Sequence, residues 1–143
     1  MKKFLVAVFL ASMFFSGICQ LDSLSRLEYD VKLNDIWGYV DTSGNEYALV
    51  GLRNGLSIVE VTNPSNPVEV YRSTGPQTIW RDIKVYGNYA YVTNEADNGL
   101  RIYDLSVLPT SHEILYKDFD GEDGKKFETA HNLFIDEKGR AFV

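Results

Sequence analysis

N-D-I-W-G-Y-V at positions 34–40, E-Y-A-L-V at 46–50 and N-G-L-S-I-V-E-V at 54–61 are followed by a second version of the same series. In the second version R-D-I-K-V stands at 81–85, N-Y-A-Y-V at 88–92 and N-G-L-R-I-Y-D-L at 98–105. A third begins with H-N-L-F-I at 131–135 and G-R-A-F-V at 139–143. Asp35 to Asp82 is 47 positions, Ala48 to Ala90 is 42, Gly55 to Gly99 is 44 and Ala90 to Ala141 is 51. Periods of about 40–50 residues belong to propeller blades or to helical solenoids. The runs inside each unit are only four to seven residues long and rich in Val, Ile, Tyr, Leu and Phe, too short for helical spacing. They are separated by Thr42-Ser43-Gly44-Asn45, Asn54-Gly55, Asn63-Pro64, Asn66-Pro67, Tyr86-Gly87-Asn88 and Asn98-Gly99. Such residues accept φ > 0 or pre-set a bend, so the runs are strands joined by tight turns.

The predicted strands of the first unit are about 36–40, 47–52, 56–61 and 68–71, and those of the second about 83–85, 89–93, 100–105 and 114–119. Four antiparallel strands per unit make one propeller blade. The expected fold is therefore all-β, a β-propeller of which about two and a half blades are present. The domain plan is a leader at 1–19, a lead-in at 20–33, blade 1 at about 34–73, blade 2 at about 80–119 and the start of blade 3 at 131–143. Leu21, Leu24 and Leu27 fit either a helical turn or a lead-in strand. Propellers close with about four to eight blades, and Ala141-Phe142-Val143 reads as the middle of an apolar strand. The expectation is an N-terminal part of a longer chain, because a raw strand edge is an aggregation hazard.

Lys2 and Lys3 precede an apolar run from Phe4 to Phe15, the pattern of a secretory signal peptide and too short to span a bilayer. Gly17 and Cys19 suit the −3 and −1 positions of a cut before Gln20. Ser16-Gly17-Ile18-Cys19 also reads as a lipoprotein box with Cys19 acylated, although Ile18 is bulkier than such a box prefers. The expected location is secreted or cell-surface. The leader holds the single cysteine, so the exported chain would rely on packing rather than disulfides. The net charge is −6, and losing Lys2 and Lys3 with the leader takes it to −8. Such a chain gains nothing from counterion release on a phosphate backbone, which argues against nucleic acid as a partner. No later stretch is apolar enough for a membrane span.

Catalytic signatures such as G-x-S-x-G, G-x-G-x-x-G, the P-loop and H-E-x-x-H are absent from the sequence. Two histidines are available, and His112 sits in the loop Pro109-Thr110-Ser111-His112, which predicts a solvated side chain. His131 is different. Asn34-Asp35, Arg81-Asp82 and His131-Asn132 each stand just before an inner strand, and inner strands line a propeller's central channel. Asp35, Asp82, His131 and Asn132 are thus candidates for a ligand or metal site on one rim. The competing reading is architectural, with these polar groups satisfying backbone N–H groups of the next blade. A functional carboxylate pair should raise at least one of the two pKa values or attract a cation or a polar ligand.

Asp118, Asp120, Glu122 and Asp123 form an acidic loop with glycine bends that could wrap calcium. EF-hand spacing fails, since Asp123 holds the glycine position and Thr129 the bidentate glutamate position, and a solvated loop is expected. No other cofactor is implied. Trp37 and Trp80 flank predicted inner strands, so core packing between blades is predicted, with glycan stacking as the alternative.

G-L-x-I-x-x-V/L at 55–61 and 99–105, followed in the first unit by T-N-P-S-N-P-V-E-V at 62–70, resembles the LVIVD repeat of secreted bacterial β-propellers. N-D-I-W-G, Y-A-L-V-G-L, W-R-D-I-K-V and A-H-N together resemble the choice-of-anchor B branch, over residues 34–143. The resemblance implies an exported propeller, monomeric in its full length, whose members end in differing anchoring segments. It says little about activity. Two functions are compatible with these readings: a non-catalytic interaction or surface-scaffold module with a protein or glycan partner, and an extracellular enzyme using the Asp35, Asp82 and His131 rim.

Overall fold

The structure is a computed structural model, and it describes residues 21–97, 99–122 and 124–143. The leader with Cys19 and Gln20, and Asp123 of the acidic loop, lie outside the described residues. The described residues form ten strands in sequence. They are β1 (Leu33–Val40), β2 (Glu46–Leu52), β3 (Gly55–Glu60), β4 (Val68–Arg72), β5 (Ile83–Tyr86), β6 (Tyr89–Thr93), β7 (Leu100–Asp104), β8 (Tyr116–Phe119), β9 (Phe134–Ile135) and β10 (Ala141–Phe142). β1-β2-β3-β4 and β5-β6-β7-β8 are two antiparallel four-stranded sheets, and β9-β10 is a two-stranded pair. The described residues contain no helix. Each four-stranded meander is one blade of the propeller type.

Period-2 alternation sets the packing. On β2, Tyr47 and Leu49 face the second sheet and join Tyr39, Leu56, Ile58, Ile83, Ala90, Val92, Tyr103 and Leu105 in one buried cluster between the blades. Val50 and Leu52 face the other way, where Val59, Tyr29 and Val31 pack against them. β2 is therefore buried on both faces, which is why its sequence is a nearly unbroken apolar run. A bulge between Ile58 and Val59 interrupts the β3–β4 register.

The lead-in leucines mark neither helix nor strand. Residues 21–29 carry no regular structure, and Leu21 is 96% exposed. The packed part of the lead-in is Tyr29 and Val31; the Tyr29 hydroxyl meets Ser57 Oγ at 2.9 Å and its ring lies 5.2 Å from the Arg72 guanidinium. β1 begins at Leu33, before the predicted position, and β8 begins at Tyr116, after it. Ile114 is still buried in the interblade core, so its apolar character reported packing rather than strand.

One turn recurs. Asp41-Thr42-Ser43-Gly44-Asn45 and Asp136-Glu137-Lys138-Gly139-Arg140 both close hairpins with an aspartate accepting backbone N–H groups two and four residues on. Gly44 and Gly139 take φ of 88° and 76°, where a side chain would be strained.

Candidate functional site

At the repeated position, Asp35 near the start of β1 and Asp82 just before β5 each carry a carboxylate that crosses to the next blade, while the third holds Asn132. Ile83 N–H donates to Asp35 Oδ2 at 2.9 Å, and Leu133 N–H donates to Asp82 Oδ2 at 2.7 Å. The two bonds are equivalent by the repeat, one blade apart. Asp82 is set in place by its own backbone: its N–H donates to Thr93 Oγ1 at 2.8 Å and its carbonyl accepts Thr93 N–H at 2.9 Å. Thr93 Oγ1 also donates to the His131 carbonyl at 3.1 Å, so the end of β6 ties the start of blade 3 to blade 2.

The Asp82 charge is compensated by a cation. Lys84 Nζ contacts Asp82 Oδ1 and sits 4.5 Å from the Trp37 ring centre. Arg81 is only 5% exposed, and it donates to the carbonyls of Leu52 at 3.0 Å and Pro76 at 2.8 Å. Burial lowers its guanidinium pKa, with nearby Tyr103 opposing. Burial pushes the Asp82 carboxyl up, but Lys84, the Leu133 N–H and the neighbouring Asp35 side chain outweigh it and hold Asp82 below the ordinary aspartate range.

Asp35, Asp82, His131 and Asn132 do meet. They line one open cavity of about 390 Å³ together with Leu33, Asn34, Ile79, Trp80 and Arg81. The Trp80 ring lies 4.8 Å from the His131 imidazole, tilted by 35°, and His131 Nδ1 is 2.6 Å from Glu95 Oε1. The tryptophan expectation needs correction. Trp37 is 41% and Trp80 49% exposed, so neither ring fills the wedge between the blades. That wedge is filled by Tyr39, Tyr47 and Tyr103, and the tryptophans lie beside the inner-strand starts at its margin.

The acidic loop is arranged differently. Asp118 accepts a two-pronged contact from Arg101 at 2.6 and 2.9 Å, and Asp120 Oδ2 lies 2.8 Å from Lys126 Nζ. The Glu122 carbonyl accepts Lys125 N–H at 2.9 Å. Among the described residues, no group of three His, Cys, Asp or Glu side chains could hold a metal ion. His112 is exposed, as its loop position predicts.

Glu95, Lys84 and Thr93 were not anticipated as parts of the rim. Thr93 ends the strand after the repeated Y-A-Y-V run, and only the fold brings it to Asp82. Glu95 lies in a turn with no counterpart in blade 1, so the repeat carried no signal for it.

Two antiparallel four-stranded meanders, packed through an interblade apolar core and joined by repeated carboxylate–amide bonds, define a β-propeller repeat protein. Residues 38–74 and 80–113 match the LVIVD repeat family model, and the chain carries two LVIVD repeats. No curated protein and no solved structure matches the chain.

Proposed function

We propose that this is an exported LVIVD propeller of the choice-of-anchor B type that acts at the cell surface as a non-catalytic interaction or scaffold module. The observation that carries the reading is the use of the rim carboxylates. Asp35 and Asp82 are the only acidic side chains at the repeated position, and each spends an oxygen on a backbone N–H of the next blade. A general acid would need a carboxyl held protonated near neutral pH, whereas Asp82 is held below its ordinary range. A rim whose carboxylates are held by backbone amides, with Asp82 also paired to Lys84, suits recognition better than proton transfer. Export rests on Lys2, Lys3 and the Phe4–Phe15 run.

Fractionation of cells making the full chain, with mass spectrometry of its N-terminus, tests the location. Gln20, cyclised to pyroglutamate, is expected in the surface or extracellular fraction. A diacylglyceryl Cys19 would replace secretion by lipid anchoring, and a cytosolic chain retaining Met1 refutes export. Surface-exposed full-length protein that turns over a glycan or peptide substrate, with turnover abolished in Asp82→Asn, refutes the non-catalytic reading.

A further inference from the structure

We infer that the rim cavity is a sugar-binding site in which a neutral pyranose ring stacks on Trp80 and donates hydroxyls to Asp35 and Asp82. The inference rests on the interaction-module reading and names the ligand class of that same site. The cavity volume, about 390 Å³, falls within the range of about 300–1,000 Å³ typical of small-ligand sites. Its lining combines the two things a sugar needs. One is an exposed aromatic face: Trp80 is 49% exposed, and its tilted contact with His131 fixes the ring. His131 is in turn held by Glu95 at 2.6 Å. The axial C–H groups of a pyranose make an apolar face that packs on such a ring. The other is a set of acceptors with spare lone pairs. Asp35 and Asp82 each accept one backbone N–H at Oδ2 and Asp82 Oδ1 also meets Lys84, and since a carboxylate has about four lone-pair sites, both keep acceptor capacity. Asn132, exposed on the same wall, adds a donor and an acceptor.

Charge decides between a sugar and a cation, since a tryptophan beside two carboxylates would also suit an ammonium group. Lys84 already neutralises Asp82, and the Arg81 guanidinium lies in the same wall. A second cation would be brought in against both. A neutral donor-rich ring meets no such opposition.

Saturation-transfer NMR on the full-length chain tests this, with maltose, cellobiose and N,N′-diacetylchitobiose as separate probes and tetramethylammonium as a cationic comparison. Transfer to the ring protons of at least one disaccharide is expected, with a Kd on the order of 1 mM, equal to about −4 kcal/mol. Affinity should fall at least tenfold in Trp80→Ala, recover to within about threefold of the parent in Trp80→Tyr, which restores a stacking face, and stay unchanged in Trp37→Ala. The tyrosine variant also guards against a misfolded alanine variant. No transfer from any disaccharide, transfer indifferent to Trp80, or binding of tetramethylammonium in place of sugars overturns the inference. A sugar-negative chain that is still exported and surface-exposed leaves the scaffold reading standing, so the two failures are distinguishable.

Discussion

Asp82→Ala in the full-length chain should be among the costliest polar substitutions in the molecule. The Leu133 N–H that Asp82 accepts at 2.7 Å belongs to a residue only 3% exposed. Removing the acceptor leaves a buried amide unpaired, which costs about 1–3 kcal/mol. The contact with Lys84, whose side chain is about one-fifth exposed, adds about 0–1 kcal/mol. The expected loss is therefore about 1–4 kcal/mol, read as a shift of the urea midpoint at constant m. Asp82→Asn keeps an oxygen for Leu133 and gives up only the charge, so it should lose about 1 kcal/mol. The pH dependence follows from the lowered pKa of Asp82. An unfolded aspartate titrates near about 3.9. The Asp82 contribution is complete above that pH and is lost as pH falls through the lower folded value, so the gap between parent and alanine variant should close in acid. An alanine loss under about 0.5 kcal/mol, typical of an ordinary surface exchange, refutes Asp82 as the interblade acceptor. Equal losses for alanine and asparagine refute it as well.

Asp35→Asn should stay within about 1 kcal/mol of the parent by denaturation, since the amide oxygen can still meet Ile83 N–H, while Asp35→Ala loses about 1–3 kcal/mol. Gly55→Ala should destabilise by about 3 kcal/mol or more, because a Cβ there would sit 2.0 Å from the Ser73 carbonyl oxygen on the backbone of the adjoining turn. Gly38→Ala, with nothing within 4 Å, is the tolerated comparison in the same melt. Arg101→Lys should cost about 1–2 kcal/mol, since an ammonium cannot reproduce the two-pronged contact with Asp118 or the bond to Thr74 O at 3.0 Å. Burial raises the Tyr103 pKa, with Ser73 and Arg101 opposing. Stability should then be intact below pH of about 10, where unfolded tyrosine ionises, and fall above it, and Tyr103→Phe should flatten that alkaline decline.

The strands were legible because two independent signals agreed: apolar alternation and turn residues at fixed offsets. β6 at Tyr89–Thr93 shows this most clearly, bounded by Gly87-Asn88 on one side and a polar turn on the other. The tryptophans were misread because alternation assigns a side chain to a face without saying what meets it there. Trp37 and Tyr39 share a parity on β1. Tyr39 packs beside Tyr47 in the interblade cluster and reaches Asn88, while Trp37 is met by the Lys84 ammonium. The Asp41 and Asp136 turns were visible as D-x-x-G at equivalent hairpins, but blade 2 replaces them with a two-residue turn between Tyr86 and Tyr89. A comparison of adjacent units therefore hides what a comparison of the first and third would display.

The rim aspartates were also legible by position, and the two readings offered for them turn out not to exclude each other. A backbone amide makes a single directed demand on an acceptor, whereas a carboxylate offers two oxygens. Asp35 and Asp82 satisfy the amide of the following blade through Oδ2 and still border the cavity. Because the interblade bond repeats, the same residue that joins two blades is delivered to the same height on the rim each time. An architectural demand at one oxygen thereby helps fix where the other oxygen stands, and at Asp82 the Lys84 ammonium meets that other oxygen as well. This makes a rigid acceptor array an automatic by-product of closing blades in sequence, and it explains why the cavity is lined by the very residues that hold the sheets together.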